Sequence, residues 1–367
     1  MHVIHIVNHF LPSAGGVEWS VLRTAEAQVL RGDSVTVITE TPRGGFHDSA
    51  LPFTVRRFQV PLRRPITRLY YWRWMWRQRA LLRAADVLHF HDYTPLVHWF
   101  LPLRPLLRGP CYAITFHGFE NWPVRLRHRL LRALAARMCH IRFAVGDYVR
   151  EIYGHPVDQV YLGAPVRNYS RMTPSEAMRF VFVGRLEADT GVLEFTAALA
   201  AAAAEMQRRV QLEIAGDGSL RPRLEDLRGP WMDISFHGRV EDPLQLYARA
   251  RFVVASGFLS MLEAFQTGLP VLFPALDEIK RRYVASVPEA DTLLTVMRSR
   301  EELHRILRAA LSRELQAQFS ARAERALTFV SEHTWRDIAD LLASGYEKGN
   351  HREGGARSTR IVVHEKH

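Results

Sequence analysis

Hydrophobic and polar positions alternate along the chain in a repeating order of short apolar runs and longer periodic stretches. His2-Val3-Ile4-His5-Ile6-Val7 is an apolar run, residues 16–30 carry a helical pattern, and Ser34-Val35-Thr36-Val37-Ile38-Thr39 is β-branched. Further strand-like runs lie at 53–58, 87–91, 112–116 and 142–145, with helical stretches around 66–85 and 124–139. Strands that alternate with helices predict a parallel sheet covered on both faces.

The pattern then restarts. Arg179-Phe180-Val181-Phe182-Val183 reads as a strand, 191–208 as an Ala-rich helix, and Gln211-Leu212-Glu213-Ile214-Ala215 as the next strand. Strand-like runs follow at 234–237, 252–255 and 270–273, with helices at 242–250 and 259–267. The chain has 367 residues, enough for two domains of ordinary size. The expected layout is an α/β pair of Rossmann-like, doubly wound domains. The first spans 1–165, a linker 166–178, the second domain 179–330, a final helix 331–347 and a disordered tail 348–367.

Composition narrows the class. Hydrophobic content of 47% with 24% charged residues is globular. No apolar run approaches the roughly 18 residues of a membrane span, and the N-terminus lacks the cationic start of a signal peptide. Two cysteines, Cys111 and Cys139, exclude a disulfide framework and have no metal spacing, so a cytoplasmic setting is expected.

Four loops carry candidate chemistry. Asn8 to Glu18 joins the first strand to a helix through Gly15 and Gly16, where backbone N–H groups and the helix dipole suit an anion. A tight strand-to-helix turn is the plainer alternative. There is no Gly-x-Gly-x-x-Gly and no P-loop, which excludes a dinucleotide oxidoreductase or a P-loop nucleotidase on motif grounds. Val183-Gly184-Arg185-Leu186 places an Arg beside Gly at a strand end, where it can clamp a diphosphate or simply lie on the surface. Ala215-Gly216-Asp217-Gly218 is a second glycine turn. Finally, Ser256-Gly257-Phe258-Leu259-Ser260-Met261-Leu262-Glu263-Ala264 runs into a helix carrying an acid, either dipole-stabilised or a ribose ligand.

In order and spacing, these motifs resemble the family 4 retaining glycosyltransferases of GT-B fold. The similarity runs from Gly15-Gly16-Val17-Glu18 through Gly184-Arg185 and Leu262-Glu263-Ala264 to Gly268-Leu269-Pro270-Val271 and Thr334-Trp335. It implies a nucleotide-sugar donor held by the second domain, facing the first across a cleft, and a closing helix that crosses back to the first domain. Arg185 would hold the diphosphate and Glu263, beside Leu262, the ribose. Backbone groups at Gly257, Phe258, Leu259, Ser260, Gly216 and Gly16 would approach phosphate or sugar. His117, in Thr115-Phe116-His117-Gly118, matches the family's histidine near the reacting centre; a satisfied turn histidine is the alternative.

Two positions depart from the family pattern. Thr190 stands where a lysine is usual, and Ala255 where a first acidic donor residue is usual. A desolvated charge-assisted bond is worth about 1.5–3 kcal/mol, so the first change is not minor. A degenerate, non-catalytic copy that binds nucleotide or glycan, or supports a partner enzyme, is therefore the rival to an active transferase. No Asp-x-Asp occurs, so neither a metal nor another cofactor is expected. His89 and His91 share one strand face, which suits a metal, but no third ligand stands out in the sequence.

Charge is unevenly spread. The net charge is +11, of which residues 1–165 hold 21 Arg against 11 acids. Residues 56–83 contain nine Arg and no acid, among Tyr70, Tyr71, Trp72, Trp74 and Trp76. In 124–137, Leu126, Leu130 and Leu134 share one helix face and Arg125, Arg129 and Arg132 another. Arg stems packed over ordinary helices, a membrane interface, an anionic acceptor and nucleic acid are the competing readings. No nucleic-acid module is present, so nucleic acid is set aside. Arg73, Trp74, Arg77, Arg125, Arg129 and Arg132 are assigned to an acceptor or anionic membrane surface. The expected protein is a cytoplasmic transferase, peripheral on the inner face of the membrane, acting on a glycan or lipid-linked acceptor.

Overall fold

The computed structural model describes residues 1–13, 15–42, 46–59, 67–120 and 122–351. The chain forms two compact units: Met1–Gly163 with the chain from Trp335 onward, and Ala164–Thr334.

In the first unit the strands are β1 (His2–Ile6), β2 (Ser34–Glu40), β3 (Thr54–Phe58), β4 (Val87–His91), β5 (Cys111–Phe116), β6 (Ile141–Val145) and β7 (Gln159–Tyr161). They form one parallel sheet in the order β3-β2-β1-β4-β5-β6-β7. Every residue of β4 and β5 is buried, as expected for central strands covered on both faces. The chain winds outward from β1 to β3 and returns to β4 on the other side of β1. The ends of β1 and β4 thus form a topological switch point, the usual position of a ligand site in such sheets.

The helix Gly16–Leu30 follows β1 and ends at Gly32, whose positive φ of 94° permits the turn into β2. The helix Trp335–His351 packs on Gly16–Leu30 and on β5 and β6. Two glycines allow that approach: a Cβ on Gly345 would lie 2.5 Å from the Phe143 ring, and one on Gly349 would lie 2.6 Å from Cys111 Sγ. The final helix therefore continues through 348–351, where a disordered tail was expected; amphipathic packing against the sheet extends it. Residues 352–367 of that tail lie outside the described residues.

In the second unit the strands are β8 (Arg179–Val183), β9 (Val210–Ala215), β10 (Met232–Gly238), β11 (Phe252–Val254), β12 (Val271–Pro274) and β13 (Thr295–Met297). They are parallel, in the order β10-β9-β8-β11-β12-β13, with the switch point between β8 and β11. Phe180 and Phe252 stack at 5.1 Å within its core. The segment 166–178, expected as a linker, is tied to this unit. Arg167 pairs with Glu263, Tyr169 donates to Asp242 and Arg171 pairs with Glu324.

Candidate active site

In the first unit the switch point is an open pocket. A cavity of about 310 Å³ there is lined by Asn8, His9, Glu18, Asp92, His117, Glu120 and Arg132, among others. His117 directly follows β5. Its amide donates to Asp92 Oδ1 at 3.2 Å, and its Nε2 lies 2.8 Å from His91 Nδ1. Burial, reinforced by the nearby Arg132, pushes its pKa down to about 3, so the ring is neutral. Asp92 sits immediately after β4 in the left-handed region (φ 63°), a conformation that costs energy outside glycine. Its carboxyl is raised to about 6, because burial outweighs the attraction of Arg132.

Arg132 does not belong to the surface. It is 1% exposed, bonded to Glu120 Oε1 at 2.9 Å and the Gly118 carbonyl at 2.6 Å, and it stacks over Tyr153 at 4.1 Å. The carboxylate and carbonyl draw the guanidinium inward, where it organises the His117 loop. The cavity thus holds the carboxyls of Glu18, Asp92 and Glu120 against one guanidinium and the neutral imidazole of His117. That balance favours a hydroxyl-rich ligand over a phosphate.

The glycine turn at Gly15 and Gly16 opens the helix Gly16–Leu30, with Gly15 as extended N-cap. A Cβ on Gly15 would lie 2.5 Å from Glu18 Oε2, so the carboxylate folds back closely over this residue. Glu18 accepts from the amides of Gly15 and its own residue, and burial raises its pKa. The helix's own acid therefore occupies the end at which a phosphate was expected.

In the second unit the expected donor residues gather at the ends of β8 and β11. Arg185 follows β8 with a side chain 68% exposed, and its Nη2 pairs with Asp189 Oδ2 at 2.8 Å. Gly216 has a packing role: a Cβ there would lie 1.8 Å from the Gly184 carbonyl oxygen, so only glycine lets the β8 and β9 loops touch. Gly257 is the extended N-cap of the helix Phe258–Gln266, which holds Leu259, Ser260 and Leu262. The Phe258 amide donates to the Tyr283 hydroxyl at 2.6 Å, and Ser260 Oγ donates to the Gly257 carbonyl at 3.1 Å. Glu263 is buried and accepts from Arg167 Nη1 at 2.9 Å. Thr190 is buried, its hydroxyl donating to the Glu187 carbonyl at 2.7 Å. It supplies no positive charge.

A cation does stand nearby, one that motif reading missed. Lys280, on the helix Glu278–Ala285 after β12, is 5% exposed, and its Nζ donates to the Ser256 carbonyl at 2.8 Å. Burial lowers its pKa, while Asp189 and Asp277 act in the opposite direction and Arg185 adds to the lowering. Lys280 also lines a cavity of about 250 Å³ with Gly191, Asp277 and Arg300. The sequence signal was rarity: Lys280 is one of three lysines among 49 basic residues.

His89 and His91 do acquire a third histidine. His5 on β1 brings a ring nitrogen within 4.8 Å of theirs. All three rings are already hydrogen-bonded inside the protein: His5 to Gln28 and His91, and His89 to Tyr346 and Thr115.

The helix Leu126–Met138 is turned opposite to ordinary packing. Leu126, Leu130 and Leu134 are 69%, 61% and 40% exposed, with Arg125 and Arg129 exposed beside them. Arg73 and Arg77 are exposed on the helix Thr67–Arg77, whereas Trp74 is half-buried against Phe58, ring centroids 4.9 Å apart. Among the described residues no helix is long and apolar enough to cross a membrane.

Comparison with known proteins accords with this arrangement. The model of Glycosyltransferase Family 4 matches residues 14–160, and that of Glycosyl transferases group 1 matches 177–312. The chain is 26% identical to a GDP-mannose:cellobiosyl-diphosphopolyprenol alpha-mannosyltransferase of Xanthomonas oryzae, over 94% of this chain and 96% of that one. A protein of the same description from Xanthomonas campestris is also 26% identical, with the same coverage. Among solved structures, a glycosyltransferase from Rickettsia africae aligns with a TM-score of 0.71 at 14% identity, covering 96% of this chain and 99% of that one. Anabaena HepE in complex with UDP aligns with a TM-score of 0.68 at 15% identity, covering 94% and 99%. With both halves matched in order on two Rossmann-like units, the chain belongs to the family 4 glycosyltransferases of GT-B fold.

Proposed function

We propose that this glycosyltransferase moves a hexose from a nucleotide-sugar, GDP-mannose being the first candidate, to a glycan on a polyprenyl diphosphate, with retention of anomeric configuration. The observation that carries the reading is the contrast between the two switch points. Arg185 and Lys280 flank the ends of β8 and β11 in the second unit, whereas the first unit offers a neutral His117 among carboxylates. Departure of the nucleotide builds negative charge on the diphosphate and positive charge on the sugar ring. Preorganised cations at the diphosphate stabilise that charge in the transition state. Arg185 and Lys280 supply this charge without a divalent ion, and Glu263, steadied by Arg167, takes the ribose. The relatives from Xanthomonas carry a lipid-linked acceptor in their description, which supports that choice for this chain. The exposed leucines of Leu126–Met138, flanked by arginines, suit docking on an anionic membrane surface where such an acceptor resides.

A thermal-shift panel of GDP-, UDP-, ADP- and TDP-sugars on the wild type and Arg185→Ala tests the donor side. One nucleotide class should stabilise the wild type and lose most of that effect in the variant; equal shifts in both proteins would remove Arg185 from the donor site. Sugar transfer to a synthetic oligosaccharide-diphosphopolyprenol then tests catalysis. Donor binding with no transfer or hydrolysis across the panel would favour the non-catalytic alternative.

A further inference from the structure

Four histidines, a glutamine and a tyrosine of the first unit form a connected set of hydrogen bonds that ends at His117. The Gln28 amide nitrogen donates to the Tyr346 hydroxyl at 3.3 Å, and its Oε1 lies 2.7 Å from His5 Nε2. His5 Nδ1 lies 2.9 Å from His91 Nε2, and His91 Nδ1 lies 2.8 Å from His117 Nε2. On a side branch, the Tyr346 hydroxyl lies 2.7 Å from His89 Nδ1, and His89 Nε2 lies 2.8 Å from Thr115 Oγ1. His5, His89, His91 and Gln28 are buried, and so is Tyr346.

From these contacts we infer that Gln28, held by Tyr346 of the final helix, is a positioning residue that sets the tautomer of His117. A neutral imidazole has one N–H donor and one bare acceptor nitrogen, and an amide oxygen only accepts. Facing the Gln28 carbonyl, His5 Nε2 therefore carries the proton and its Nδ1 is bare. His91 Nε2 must then donate to His5, leaving its own Nδ1 bare, and His117 Nε2 must donate to His91. The last ring is left with Nδ1 as a hydrogen-bond acceptor. With the Gln28 amide nitrogen donating to the Tyr346 hydroxyl, that oxygen keeps its single proton for His89 Nδ1, its partner at 2.7 Å. Reversing any one link would require turning over the amide and every ring proton together. His117 thus presents an acceptor to a sugar hydroxyl, and the residue that decides this lies two histidines away, against the final helix. The role for the sugar rests on the proposed function; the tautomer itself does not.

The test is ¹⁵N spectroscopy of histidine-labelled full-length protein, with the His117 signals assigned by their loss in His117→Asn. The wild type should show His117, His91 and His5 protonated at Nε2 and bare at Nδ1. In Gln28→Met, and in Tyr346→Phe, His117 should become a mixture of tautomers or change to the Nδ1–H form. Turnover in these variants should fall about five- to tenfold, as for one lost hydrogen bond, with Arg185-dependent nucleotide binding unchanged. Should Gln28→Met fail to fold, the wild-type spectrum and Tyr346→Phe decide. A wild-type His117 protonated at Nδ1, or a spectrum unmoved by both variants, would overturn the inference. So would stoichiometric zinc bound by His5, His89 and His91. Because the tautomer is read without substrate, a failure here is distinguishable from a failure of the proposed activity.

Discussion

Lys280 carries a positive charge that the motif at Thr190 lacks, yet it lies ninety residues further along the chain. Its ammonium is buried against the Ser256 carbonyl, one residue before the N-cap of the helix Phe258–Gln266. A lysine in that setting serves either the loop or the ligand, and Lys280→Met separates the two. An apolar side chain of similar length removes the cost of burying a charge but takes the donor from the Ser256 carbonyl, a loss of about 1–3 kcal/mol. Loss of a charge-assisted bond to the donor diphosphate costs about 1.5–3 kcal/mol, or about ten- to a hundredfold in affinity. We expect nucleotide-sugar Kd to rise by that factor with only a modest fall in Tm, as read by calorimetry and thermal melts. A melt that drops with Kd unchanged would assign Lys280 to the loop alone. At this scale Arg185, Glu263 and His117 were legible as candidates through local motifs. Lys280 stayed hidden because no short-range spacing links a helix after β12 to the loop after β11.

Among elements, the helix Leu126–Met138 shows how periodicity and orientation differ. Three leucines four residues apart were legible as one face, and that face ordinarily turns inward. Here the inward position went to Arg132, because Glu120 and the Gly118 carbonyl accept from its Nε and Nη2. The leucines were left outside. Substituting Leu126→Gln with Leu130→Gln removes two exposed side chains, so stability should change by less than about 0.5 kcal/mol. Each leucine transferred from water into a lipid interface is worth up to about 1.5–3 kcal/mol, so binding to anionic vesicles should fall at least about tenfold. Flotation at low and high salt checks this. Binding by the double variant equal to wild type at both salt concentrations would sink the docking role of this face. The final helix was legible in a similar, partial way: its existence followed from the closing motif, while its extension to His351 depended on Gly345 and Gly349 meeting the sheet.

For the whole molecule, the buried histidines link stability to pH. Burial drives His5 down to about 4 and His117 to about 3, and it lowers His89 and His91 as well. A histidine with a depressed folded pKa binds fewer protons folded than unfolded. Its stabilisation is thus complete above the unfolded value of about 6.5 and is lost as pH falls toward the folded value. Each such residue contributes a slope of up to about 1.4 kcal/mol per pH unit within that window. Urea midpoints should therefore fall steeply from pH 6.5 toward pH 4 and hardly change between pH 7 and 8. A flat profile across the acid window would mean that the histidines are solvated or charged in the folded protein.

The sequence by itself determined the two doubly wound units, most strand positions and the family, because β-branched runs, glycine turns and motif order are properties of neighbouring residues. It also located the Arg-rich character in the first unit. Tertiary structure alone decided where those residues sit and what they touch. Sheet order places β1 beside β4 and β4 beside β5, which joins His5, His91 and His117 into one hydrogen-bonded line and puts Tyr346 at its far end. It turned Arg132 inward, filled the first helix's N-terminus with Glu18, and gave the second unit its cation from Lys280. Contacts between residues far apart in sequence depend on which strands pair, and strand pairing is set by the packing of the whole sheet.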